Sequence, residues 1–227
     1  MKKLFLLDAF ALIYRAHFAF IKNPRINSKG LNTSAIFGFV NAMNEVIRKE
    51  NPTHLAVVFD VAGRGKREEI FADYKANRDE TPDDIRTAIP YIYKILEAMN
   101  IPALGSEGYE ADDVIGTLAK KAEKAGFQTY MMTPDKDYAQ LVSENIFMYK
   151  PSRGGEGPQT WGVKEVQEKL LDYGIQLTIR NLLYNSANKI ENIDAEIKVE
   201  GKSKATASWT KARDGFKFMI LSKKSIA

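Results

Sequence analysis

Three short apolar runs in this chain lead into an aspartate, and that pattern limits the folds open to it. Leu4-Phe5-Leu6-Leu7 runs into Asp8, Leu55-Ala56-Val57-Val58-Phe59 into Asp60, and Phe127 to Met132 into Asp135 and Asp137. Short apolar runs bounded in this way read as buried strands of a parallel sheet. In open α/β sheets the ligand crevice lies outside the carboxyl ends of the strands. Three strand ends that each supply an aspartate therefore predict one acidic pocket. Glu110, Asp112 and Asp113, which open a helical stretch after Gly108-Tyr109, add to it.

So many carboxylates at close range cannot all stay ionised without cations. An all-oxygen donor set suits Mg²⁺ or Mn²⁺ rather than Zn²⁺. Seven acids exceed the needs of one Mg²⁺, so two ions, or one ion with further acids acting through water, are expected. Two ions a few Å apart form the usual arrangement for phosphodiester hydrolysis, which needs no side-chain nucleophile. The chain holds only two histidines, His17 and His54, and a packing role suits both. Each acid also has a plainer reading. Asp8 and Asp60 can cap the helices that follow, Asp135 can cap Tyr138 to Val142, and three acids at a helix start complement its dipole.

The remaining pattern alternates strand and helix. Helices are expected over Ala9 to Phe20, Ala35 to Lys49 capped by Thr33-Ser34, Thr81 to Asn100 with Pro90 as a kink point, and Glu110 to Ala125 ended by Gly126. Further strands are expected over Ile101 to Leu104 and Ile146 to Lys150. The alternation predicts an α/β fold, a mostly parallel sheet with helices on both faces. Gly154-Gly155 and Gly157 mark a loop or boundary, Val163 to Leu171 reads as a helix, and the rest reads as helical or irregular.

The net charge of +4 and pI near 9.0 hint at an anionic partner, with the basic residues placed around the acidic pocket. Arg64, Lys66, Arg67, Lys75 and Arg78 cluster with Phe71 and Tyr74 directly after Asp60. Stacking on an aromatic ring and a cation on the phosphate are the usual grip on a single strand. The alternative is a solvated face paired with Glu68, Glu69 and Asp73. Arg15, two turns after Asp8 and flanked by Tyr14 and Phe18, can reach the same sheet edge. With no cysteine, disulfides and thiolate metal sites are excluded. No apolar run reaches transmembrane length, and Asp8 cuts the apolar start, so a cytoplasmic protein without membrane contact is expected.

Several of these residues together resemble a known family. Leu6-Leu7-Asp8, Tyr14-Arg15-Ala16, Phe59-Asp60, Tyr74-Lys75-Ala76-Asn77-Arg78, Glu110-Ala111-Asp112-Asp113-Val114-Ile115 and Thr133-Pro134-Asp135-Lys136-Asp137 match in order and spacing. They resemble the 5′-nuclease (flap endonuclease) superfamily, and within it the 5′→3′ exonuclease domain of bacterial DNA polymerase I. The resemblance runs from Met1 to about Lys169. It implies a PIN-like core over 1–160, with a helical gateway or arch around 64–100 and a truncated helical region over 161–227. It implies Mg²⁺ or Mn²⁺ and cleavage of DNA flaps and 5′ ends in primer removal and repair. Asp8, Asp60, Glu110 and Asp112 resemble ligands of a first ion, Asp113 lies between the sites, and Asp135 and Asp137 resemble ligands of a second. Lys75, Arg78 and Arg15 take catalytic places at the phosphate, and Tyr14, Arg67 and Tyr74 join them in holding DNA. A monomer is expected, with a polymerase domain in a longer parent chain.

The sequence departs from that pattern after Lys169. The family continues with a Gly-Asp-x-x-Asp-Asn motif and a helix-hairpin-helix, and neither is present. Leu170-Leu171-Asp172-Tyr173-Gly174 instead resembles the segment after the hairpin, as an internal deletion would leave it. The other alignment sets Asn185-Ser186-Ala187-Asn188 against the acidic motif and Val199-Glu200-Gly201 to Thr206-Ala207 against the hairpin. Both weaken the second ion's site and the duplex grip, so a catalytically weakened DNA-binding remnant stands beside the active nuclease. A haloacid-dehalogenase-type phosphotransferase needs a second Asp two residues after the first, where this chain has Phe10. A receiver-type fold does not explain acids on two further strand ends.

Overall fold

The computed structural model describes residues 2–61, 80–152, 156–171, 194–197, 205–211 and 217–223. They fall into two compact units, Met1–Val163 and Lys164–Ala227. In the first, a six-stranded sheet forms from β1 (Lys2–Asp8), β2 (His54–Val58), β3 (Ala103–Leu104), β4 (Phe127–Met132), β5 (Ile146–Lys150) and β6 (Gln159–Trp161). The order across the sheet is β3-β2-β1-β4-β5-β6. All neighbours are parallel except β5 and β6, which pair antiparallel from Met148 opposite Trp161 to Lys150 opposite Gln159. β6 was not expected from the sequence, because Gln159-Thr160-Trp161 is too short to show a period.

Side chains alternate across a strand, so β1 divides its apolar residues between two layers. Phe5 and Leu7 join a core with Leu12 and Ile13 of α1 (Ala9–Ala19), Phe39, Met43 and Val46 of α2 (Ser34–Glu50), and Ile85, Ile92 and Leu96 of α3 (Asp83–Ala98). Leu6, Met131 and Met148, also buried, lie outside that cluster. α4 (Ala111–Lys124) packs on β4 and β1 and buries Ile115 and Ala119. Helices therefore cover both faces, as expected. α3 passes through Pro90 unbroken. Gly126 follows α4 with φ +78, a conformation a glycine adopts without strain. Thr33 does stand at the start of α2, but its hydroxyl donates to the Arg25 carbonyl at 2.8 Å rather than capping the helix.

The second unit corrects an expectation. α5 (Val163–Leu171) is helical as read, and the described residues beyond it are strands rather than helix or irregular chain. β7 (Asp194–Ile197), β8 (Ala205–Lys211) and β9 (Lys217–Lys223) form an antiparallel sheet in that order. Trp209 lies opposite Met219 and Thr210 opposite Phe218. Strand preference depends on the neighbours a strand meets, and small residues such as Ala205, Ala207 and Ser208 hide the alternation that would announce it. Among the described residues no helix is long and apolar enough to cross a membrane.

One contact fixes the spacing of α1 and α2. A Cβ placed on Gly38 would lie 2.5 Å from the Ala16 Cβ and 3.2 Å from its Cα. Alanine gains about 1 kcal/mol over glycine inside a helix, but overpacking costs about 1–3 kcal/mol. Ala16 has no flexible end that can yield, so the clash dominates. Gly38→Ala is expected to lower stability by about 1 kcal/mol or more in urea melts, and Gly38→Val by more still. A melt unchanged in both variants would show that the helices part freely.

Candidate active site

The strand order places a topological switch point between β1 and β4. From β1 the chain builds outward through β2 and β3, and from β4 through β5 and β6. Ligand crevices form at the carboxyl ends of such a junction. Asp8, the last residue of β1, stands there with 9% of its surface exposed.

Asp8 joins three elements. Its Oδ1 accepts from the Ala11 N–H at 3.1 Å, which caps α1. Its Oδ2 accepts from the Tyr138 hydroxyl at 3.1 Å and the Thr133 hydroxyl at 3.3 Å. Thr133 directly follows β4, and Tyr138 lies in a short 3₁₀ helix, Lys136–Leu141. These described partners are an amide and two hydroxyls. Burial pushes the carboxyl from the ordinary aspartate value of 3.8 up to about 6, and the nearby Asp60 carboxylate adds to the rise. The hydrogen bonds act in the opposite direction but do not cancel it.

The other acids sit at helix starts around this point. Asp60, two residues past β2, accepts from the Ala111 N–H at 2.6 Å and so holds the start of α4 to the end of β2. Glu110 and Asp113 form a reciprocal capping box on α4, with Asp113 Oδ2 accepting the Glu110 N–H at 3.3 Å. Asp112 Oδ1 accepts the Asp113 N–H at 2.8 Å. Asp135 caps the 3₁₀ helix by accepting the Asp137 N–H at 3.0 Å, while its own N–H donates to the Thr133 hydroxyl at 3.2 Å.

The Tyr138 phenol is held far above its usual range by burial first, then by the charges of Asp8, Asp112 and Asp135. Its hydroxyl therefore stays protonated, within reach of the charges of all three carboxylates. Asp113 turns back to its own helix start, and Asp137 is exposed. Among the described residues no group of three or more acid or histidine side chains closes into a ready ion site. The capping roles explain this: several of the carboxylates are turned onto backbone N–H groups. What fits a hard divalent cation is the chemistry of the donors, all of them oxygen, and a buried carboxylate whose described partners carry no positive charge.

The basic residues divide. Arg15 donates to the Ser152 carbonyl, just past β5, and its charge also acts on Glu45. The carboxyl end of β5 lies two strands from that of β1, so Arg15 stands at the same edge of the sheet but against another loop. Tyr14 donates to the Thr81 hydroxyl at 3.2 Å, ahead of α3. Arg64, Lys66, Arg67, Phe71, Tyr74, Lys75 and Arg78 lie outside the described residues, as do Asn185, Asn188 and Val199 to Gly201. Thr133 and Tyr138 were missed by the sequence reading. Their only signal was position, one on each side of Asp135 and Asp137.

The buried Asp8 carboxylate links stability to pH. The folded state holds this proton up to about pH 6, while the unfolded chain releases it near 3.8. The stabilising share is complete below the lower value and is lost as pH rises through the upper one. Without divalent cations, stability measured relative to Asp8→Asn is expected to fall by on the order of 3 kcal/mol across that window. Parallel urea-melt profiles for the two proteins would show that Asp8 is not held in this way.

Comparison with known proteins agrees with this geometry. Residues 3–171 match the family described as 5′-3′ exonuclease, N-terminal resolvase-like domain. A 5′-3′ exonuclease of Aquifex aeolicus is 46% identical over 151 residues, covering 66% of this chain and 52% of that protein. DNA polymerase I of Bacillus caldotenax is 38% identical over 175 residues, covering 77% of this chain and 19% of that protein. The chain thus spans about half the length of the first relative and about a fifth of the second. A bacteriophage T5 flap endonuclease, solved with DNA and metal ions, shares the fold at a TM-score of 0.52 and 18% identity, covering 74% of this chain and 60% of that one. With strand-end acids at the switch point and a family match over most of its length, the chain belongs to the 5′-3′ exonuclease N-terminal resolvase-like family.

Proposed function

We propose that the acidic crevice binds divalent metal and that the chain hydrolyses DNA phosphodiesters at 5′ ends and flaps. The observation that carries this reading is the Asp8 carboxylate, buried at the β1/β4 junction, where its described partners are neutral and Asp60, Asp112 and Asp135 are near enough to act on it or on its tyrosine partner. Asp8, Asp60, Glu110 and Asp112 would hold one Mg²⁺ or Mn²⁺, and Asp135 and Asp137 a second, with Asp113 between them. Ions bound there lower the pKa of an attacking water and stabilise the leaving oxygen.

The chain's own residues prepare the site. Asp60 fixes α4 against β2, so the Glu110 to Asp113 stretch is presented at the same edge as Asp8. The crowd of carboxylates repels a phosphate until cations balance it, which makes DNA engagement conditional on metal. Lys75, Arg78 and Arg15 are proposed as the phosphate contacts, and Tyr14, Arg67 and Tyr74 as further contacts to the strand. Repair and primer removal, action as a monomer in the cytoplasm, and a polymerase domain in a longer parent chain belong to the same proposal.

A second reading is favoured by the absence of the Gly-Asp-x-x-Asp-Asn motif and the hairpin after Lys169. In that reading the protein binds DNA through the same fold but turns over weakly. A flap-cleavage assay in Mg²⁺ and Mn²⁺ separates the two. Loss of the hairpin should also weaken duplex binding more than single-strand binding, measured against a relative that retains it.

Asp60→Ala and Asp112→Ala are each expected to reduce cleavage to background. The lost helix-start hydrogen bond costs only about 1 kcal/mol, so both variants should remain folded by circular dichroism. Cleavage that survives either substitution would remove that residue from the site.

A further inference from the structure

The carboxylate of Asp8 has two oxygens with about four lone-pair positions. Oδ2 already receives two donors, the hydroxyls of Tyr138 and Thr133, while Oδ1 receives one, the Ala11 N–H. We infer that Tyr138 and Thr133 are positioning residues that saturate Oδ2, so that Asp8 offers a divalent cation a single oxygen, Oδ1. The inference rests on the metal-binding reading above and adds to it which atom binds and which side chains decide that.

The placement of the two hydroxyls supports this role. Thr133 is fully buried at the end of β4, and its oxygen also accepts the Asp135 N–H. It therefore ties Asp8 to the loop that carries the proposed second pair of acids. Tyr138 is 2% exposed, and its hydroxyl lies where the charges of Asp8, Asp112 and Asp135 are all felt. A tyrosine buried only for packing does not need its hydroxyl directed at a buried carboxylate among other carboxylates. Such hydrogen bonds fix the orientation of a ligand and tune the bound metal. Here the ring packs while the hydroxyl sets the rotation of the Asp8 carboxylate. Each hydroxyl also leaves the site's charge unchanged, which a lysine or arginine in its place would not.

The test uses the whole 227-residue chain and Mn²⁺ as probe. Anomalous diffraction from a Mn²⁺-soaked crystal is expected to show Asp8 bound through Oδ1 alone, with the Tyr138 and Thr133 hydroxyls still on Oδ2. A cation held by both oxygens, or by Oδ2, overturns the inference. Tyr138→Phe is expected to weaken Mn²⁺ binding about tenfold, read by electron paramagnetic resonance of the free ion on protein shown to be folded by circular dichroism. Thr133→Val acts on the same oxygen and carries the comparison if the first variant folds poorly. Unchanged Mn²⁺ affinity in both folded variants removes the positioning role, because a hydroxyl kept only for packing would give that result. If the unaltered protein binds no Mn²⁺, the metal-site reading falls together with this inference. If it binds and the variants bind equally, only the assignment to the hydroxyls falls.

Discussion

The burial of one carboxylate organises this fold. Asp8 ends the central strand, caps the first helix through Oδ1, and receives through Oδ2 two hydroxyls from the segment after β4. Removing a carboxylate from water is costly, and the raised pKa expresses that cost. The same atoms therefore do two opposed things. They secure the meeting of β1, α1 and the β4 loop, and they keep an unbalanced charge at the place where the strand order reverses. A site built in this way is stable enough to form yet incomplete in charge.

The surrounding acids repeat this double use on a smaller scale. Asp60 joins β2 to α4, Glu110 and Asp113 cap α4 reciprocally, and Asp135 caps the short 3₁₀ helix. Capping and metal binding are usually weighed as rival readings of such residues. Here helix starts and strand ends converge on one edge of the sheet, so side chains that cap helices necessarily stand where a ligand would lie. The caps are present in the structure, and they hold these acids at the carboxyl edge of the sheet.

Much of this was legible in the sequence, for a physical reason. Asp8, Asp60 and Asp135 each follow an apolar run short enough to be a parallel strand, and topology then places their ends together. The limits of β4 and β5 could be read directly because both are apolar runs, partly buried and bounded by turn residues. Thr133 and Tyr138 could not be read, since a hydroxyl's partner depends on how two distant segments pack. The same is true of Arg15, whose Ser152 partner lies on a loop far along the chain, and of the Thr33 hydroxyl, which turns away from its helix. The antiparallel strands from Asp194 onward escaped because each becomes a strand only through its neighbour.

The bare backbone of Gly38 against Ala16 has a consequence beyond the interface it sits in. α1 is capped at its first turn by Asp8 and packed closely along its side by α2, so its start and its flank are both held. Bulk added on the α2 side would press on a helix whose first turn is hydrogen-bonded to Asp8. Under the proposed function, substitutions at a glycine with no chemistry of its own would be recovered beside those at the acids in a genetic screen for lost activity. Sorting such mutants by phenotype alone would enlarge the apparent active site along the length of α1.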